Sequence, residues 1–252
     1  MVNLQARQKK EFDVYLLIGQ SNMAGRGQIL EDDEKTLNNV YLLDDQGKVV
    51  PASVPLNRYS SIRKGIHMQQ FSLGCSFSQE MAKKSKRKIL LVVQARGNTN
   101  IESWLKNAGT KVFNEKDGDD PELWGQEMPQ FFSETIRRSR QAMKYGKLKG
   151  ILWHQGEADS RSARAQAYVG HLACFVADLR SELGLGTKVP FVMGEVYRGG
   201  KAASINKELN KSVKVIPNSY CVSSEDCPAN SDNVHFSREG CIIMGQRYAD
   251  VF

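Results

Sequence analysis

Apolar runs of strand length recur along this chain, and longer amphipathic stretches follow them. "DVYLLI" (13–18), "KILLVVQ" (88–94), "GILWHQ" (150–155), "PFVMGEV" (190–196) and "YCVSS" (220–224) read as strands. They are continuously apolar rather than alternating, the pattern of strands covered on both faces. "VYLLD" (40–44) is a further strand candidate, placed at an edge. Four helix candidates lie between and after them: 74–85, 128–146 with Gly146 as its stop, 163–183, and 237–252 capped by Ser237. Strand and helix alternate, so the sheet should be mostly parallel, with helices on both faces and right-handed crossovers. Ligands collect at the carboxyl ends of the strands in such sheets. Two segments, 45–72 and 107–127, read as long loops, which in a compact domain are often functional.

The 252 residues suit one domain, 1–252, large enough to bury a core without disulfides or metals. The net charge is +7, but Lys and Arg are scattered among many acids. The densest basic run, Lys83 to Lys88, reads as a solvated helix end. No basic stripe interleaved with aromatics points to nucleic acid. No apolar run approaches the roughly 20 residues that span a bilayer. The polar start, 1–12, is expected to be a flexible extension. The five cysteines contain no C-x-x-C, which removes zinc-knuckle and thioredoxin-type readings. Cys221 and Cys227 are close enough to pair across their loop; free thiols are the other reading.

Three constellations fall at strand ends or in loops. In "LLIGQSNMAGRG" (17–28), Ser21 follows the first strand, and Gly19 and Gly25 permit tight backbone geometry. Ser21 is either a helix N-cap or a nucleophile, although Met23 breaks the G-x-S-x-G elbow. In "LWHQGEADS" (152–160), the Gln155 amide can donate to a developing oxyanion. His154 and Glu157 have metal-compatible spacing but no third ligand. In "SDNVHFSREG" (231–240), Asp232 and His235 are three apart, so one turn can aim both the same way. Alone, that pair reads equally as turn or cap chemistry. Together the three supply a nucleophile, a donor, and a base with its orienter, the parts of a serine hydrolase.

"GQSNMAGRG", "WHQGEAD" and "SDNVHFS" resemble the sialate O-acetylesterase domain and carbohydrate esterase family six, within the SGNH hydrolase superfamily. The likeness runs from about residue 13 to residue 250. It implies a three-layer α/β/α sandwich, flavodoxin-like, around a five-stranded, mostly parallel sheet. It also implies hydrolysis of acetyl esters on sugars, of the acetylxylan or sialate type, with no cofactor and no metal. Carried over by position, Ser21 matches the nucleophile, His235 the base and Asp232 the triad acid. Glu157 is the alternative triad acid, or else a loop brace. Ser21, Gly74 and Gln155 match the oxyanion hole. "QARGNTNIESW" (94–104) resembles the family's G-G-T-[SA]-I stretch with Asn98 and Asn100 as departures, which makes Arg96, Asn98 and Thr99 candidate substrate contacts. A secreted or periplasmic location is plausible by the same resemblance.

Other features stay outside these motifs. His67 reads as a loop residue and His171 as part of a helix face. Asp117, Asp119 and Asp120 hint at a calcium loop but lack the remaining ligands. Asn210 begins an acceptor sequon. The rivals to a carbohydrate acetylesterase are an esterase of the same fold acting on other acyl chains, and a glycan-binding module without turnover. The partner expected is an acetylated carbohydrate rather than nucleic acid or membrane; oligomeric state is unreadable.

Overall fold

The computed structural model describes residues 11–252. The expected N-terminal extension lies outside the described residues over 1–10, and Phe12 is already in the first strand. The sheet strands are β1 (Phe12–Gly19), β2 (Val40–Leu43), β3 (Val49–Pro51), β4 (Lys88–Ala95), β7 (Gly146–His154), β8 (Phe191–Gly194) and β9 (Ser219–Val222). A separate two-stranded ribbon is formed by β5 (Lys111–Val112) and β6 (Glu127–Met128). The helices are α1 (Ser21–Ala24), α2 (Leu73–Ser85), α3 (Phe131–Ala142), α4 (Ser162–Leu183), α5 (Asn206–Ser212) and α6 (Arg238–Ala249).

The sheet has seven strands in the order β3-β2-β4-β1-β7-β8-β9, where five were expected. The five run from β4 to β9. Strand β2 adds a sixth, parallel to β4, and β3 pairs antiparallel with β2 at the margin. The strand expected at an edge therefore has neighbours on both sides. Strand β3 escapes a sequence reading because it is three residues long and leaves no side chain fully buried.

Strand β1 is buried along its whole length, and its side chains alternate between two cores. Val14, Leu16 and Ile18 enter a core with Trp104, Phe132, Phe175, Leu179 and Leu209, under α3, α4 and α5. Tyr15 and Leu17 enter a second core with Leu73, Phe77, Met244 and Tyr248, under α2 and α6. A continuous apolar run is what two such covers require.

Gly146 opens β7 instead of stopping a helix. A Cβ there would meet the Phe12 carbonyl oxygen at 2.2 Å, so β1 and β7 need glycine at their closest approach. β7 starts four residues before the apolar run because Lys147 and Lys149 point to solvent, where β8 does not yet flank it. None of the described helices is long and apolar enough to cross a membrane.

Candidate active site

Each element of the site sits at the carboxyl edge of the sheet, around β1. Its neighbours are β4 and β7, so the segments leaving all three strands converge. Gly19 ends β1 with φ +145; a Cβ there would lie 2.1 Å from the His154 carbonyl oxygen. Gln20 N–H donates to that same oxygen at 2.9 Å. The chain then makes the single turn α1 and leaves it through Gly25 at φ +101. Ser21 is the first residue of that turn and does not cap it. Its hydroxyl lies 2.8 Å from His235 Nε2.

His235 arrives from the loop before α6. Asp232 builds that loop: one carboxylate oxygen accepts the N–H groups of Val234 and His235, both at 2.9 Å. The other lies 2.6 Å from His235 Nδ1. Burial pulls the Asp232 pKa upward, but the hydrogen bonds from His235 and Val234 outweigh it and hold the carboxyl below its ordinary range. Ser237 then caps α6 by accepting from Gly240 N–H, as expected. Ser21, His235 and Asp232 thus form one hydrogen-bonded line from residues more than 210 apart.

Glu157 does not reach His235. Its Oε1 accepts from Asn22 Nδ2 at 2.6 Å, and burial pushes its pKa up to about 7. His154 points away from the site, into the core, 3.1 Å from the Tyr248 hydroxyl, where burial lowers its pKa to about 3. His154 and Glu157 therefore face different partners. Among the described residues no group of three or more His, Cys, Asp or Glu side chains is placed to hold a metal.

Gln155 stands at the end of β7, fully buried. Its amide nitrogen donates to the Thr99 carbonyl at 2.8 Å and to Asp159 at 2.5 Å, while its oxygen accepts from Tyr168. Both N–H groups are engaged, so an oxyanion would have to take over one of these bonds. Gly74 is packed on other residues. It is inside α2, and a Cβ there would meet Leu17, Leu56 and Ser72 at 2.6, 3.2 and 3.4 Å. The glycine beside Ser21 is Gly97, in the segment leaving β4. A Cβ there would be 3.4 Å from Ser21 Cβ and 3.0 Å from Arg26 Nη2.

The three expected substrate contacts separate. Arg96 is buried in an ion pair with Asp119, stacks on Phe113, and donates to the carbonyls of Ile62 and Arg63. It ties the 107–127 loop to the sheet and has no free face for substrate. Thr99 is buried as well; its hydroxyl bonds the Arg96 carbonyl and the Trp104 indole. Asn98 alone is exposed, in the left-handed region at φ 59. It lines a polar cavity of about 450 Å³ with Asn100, Glu157, Ala158, Arg161 and Arg164.

The remaining motifs take other places in the fold. Asp119 serves Arg96, Asp117 bonds Asn114, and Asp120 caps the turn at Pro121–Leu123, so the three acids build a loop. Asn210 lies in α5 with its amide donated to Glu195 and Asn206. His67 is exposed in a turn after Gly65, and His171 lies in α4. Cys221 and Cys227 are free thiols.

Known proteins show what this chain is similar to. A probable carbohydrate esterase of Arabidopsis thaliana is 23% identical over 261 residues, covering 95% of this chain and 89% of that protein. The crystal structure of an Arabidopsis thaliana protein superposes with a TM-score of 0.78 at 21% identity, covering 96% and 97% of the two chains. That of NanS gives 0.66 at 15% identity, covering 96% of each. A carbohydrate acetylesterase from Xanthomonas citri gives 0.57 at 17% identity, covering 94% of this chain and 55% of that one. At these identities the likeness establishes a shared fold. The model of the family described as carbohydrate esterase, sialic acid-specific acetylesterase, matches residues 11–252, and the chain belongs to that family.

Proposed function

We propose that the chain is a serine esterase that removes O-acetyl groups from a carbohydrate through an acetyl-enzyme. The observation that carries this reading is the line Ser21–His235–Asp232, at 2.8 and 2.6 Å, at the carboxyl edge of the sheet. Family membership and the named activity of the Xanthomonas citri relative support it.

His235 Nε2 takes the Ser21 proton as Oγ bonds to the acetyl carbonyl carbon. Asp232 fixes the tautomer with Nδ1–H and stabilises the imidazolium that forms. The tetrahedral oxyanion is held by the backbone N–H groups of Ser21 and Gly97. Gln155 Nε2 is the third donor, exchanging its bond to Thr99 for one to the oxyanion. Collapse breaks the acyl C–O bond, and the sugar oxygen leaves with the proton from His235. Water, deprotonated by His235, then adds to the acetyl-enzyme and releases acetate and Ser21. The sugar lies toward Asn98 and the cavity beside it.

The test is acetate release from a panel of acetylated xylo-oligosaccharides, sialic acids and other sugars, with acyl chain length varied on one reporter alcohol. Release from acetylated sugar and preference for acetyl over longer chains are expected. A preference for long acyl chains, or sugar binding with no acetate released, would overturn the reading.

A further inference from the structure

Asn22, the residue after the nucleophile, is completely buried. Its side chain serves three separate places. Oδ1 accepts the Phe236 N–H at 3.0 Å, and Nδ2 donates to the Val234 carbonyl at 3.3 Å and to Glu157 Oε1 at 2.6 Å. Val234 and Phe236 are the two residues that flank His235. Glu157 stands in the turn after β7, where Asp159 bonds Gln155 and the Ile101 N–H.

We propose that Asn22, held by Glu157, is the positioning residue that sets His235 against Ser21. It joins the nucleophile's turn to both sides of the base, and Glu157 fixes it to the sheet. Few side chains other than an amide offer the acceptor and the two donors these contacts use. Asn22, completely buried, stays clear of the substrate, whereas Glu157 also lines the cavity beside Asn98, so its positioning role is read in kcat. The effect acts through the Oγ–Nε2 separation, and displacements of about 1 Å at reacting groups cost on the order of 10²-fold in rate. Glu157 suits the role because its Oε1 accepts from Asn22 whether or not Oε2, unpartnered in its buried site, carries a proton. The ionisable groups facing this pair are Asp159 beside Glu157, Arg161 and Arg164 across the cavity that Glu157 lines, and Asp232 and His235 across Asn22.

The inference rests on the serine-esterase reading, which Ser21→Ala tests separately. The experiment here reverses the hydrogen bond. Asn22→Asp keeps the acceptor for Phe236 but sets a carboxyl against Glu157. Its kcat for an acetyl ester should fall by about 10- to 100-fold at pH 8 with KM little changed, and the deficit relative to the parent at the same pH should shrink toward acidic pH, where one shared proton bridges the two carboxyls. Adding Glu157→Gln restores a donor and should regain most of kcat at pH 8. An Asn22→Asp enzyme with unchanged kcat, or a double variant no better than the single, would overturn the proposal. Should Asn22→Asp fail to fold, Glu157→Leu carries the test: kcat should fall about tenfold whatever the change in KM, and an unchanged kcat contradicts the role.

Discussion

The Asp232 carboxylate lies 2.6 Å from His235 Nδ1, on the ring edge opposite Ser21, and Glu157 is bonded to Asn22 instead. In the proposed mechanism Asp232 is therefore the orienter. Asp232→Asn should lower kcat by about 10²- to 10⁴-fold by offering the wrong hydrogen-bonding atom to Nδ1. The loss should fall toward the lower figure, because the Asp232 side chain is 47% exposed and water can substitute in part. Glu157→Gln keeps an acceptor for Asn22 and should stay within a few-fold of the parent. Steady-state kinetics on one acetyl ester compares the two; the reverse order would make Glu157 the triad acid.

Glu157 also predicts a pH dependence of stability. Burial raises its pKa from the ordinary 4.5 to about 7 in the fold. Between these values the folded chain binds more protons than the unfolded one, so this contribution is complete below about 4.5 and is lost as pH rises through about 7. Glu157→Gln removes the titration. Its Tm relative to the parent should be higher at pH 8 than at pH 5, by calorimetry at fixed ionic strength. His154, held neutral by burial, is common to both proteins and cancels in the comparison. Equal differences at the two pH values would place Glu157 in a wetter setting.

Arg96 belongs to stability before it belongs to binding. Its side chain is 3% exposed and that of Asp119 fully buried, and removing one partner of a buried pair strands the other charge. Arg96→Ala should destabilise the fold by about 3–5 kcal/mol in urea unfolding. Asn98→Ala, at an exposed position on the cavity, should change KM for a sugar ester with little effect on unfolding. A KM effect from Arg96→Ala with no loss of stability would restore it as a substrate contact.

The sequence shows the strands wherever two covers force a continuous apolar run, as in β1, β4 and β7. It hides β3, which is short and half exposed. Ser21, Asp232 and His235 are legible because each lies in a local motif next to an element boundary. Gly97 is passed over because chain order does not reveal that β4 lies beside β1; the sheet order brings Gly97 against Ser21. Arg96 reads as a substrate contact because nothing in the chain announces that Asp119, 23 residues away, folds over it. Asn22 is overlooked although it stands within the longest motif, since its three partners lie 135 to 214 residues distant.

The proposed mechanism turns on the Ser21 hydroxyl as nucleophile, and acetate release by Ser21→Ala measures it most directly. With the variant's fold verified by circular dichroism, kcat on an acetylated sugar should fall by about 10⁴-fold or more, since removing the nucleophile of a triad abolishes the covalent route. Acetate release within tenfold of the parent would contradict the serine mechanism.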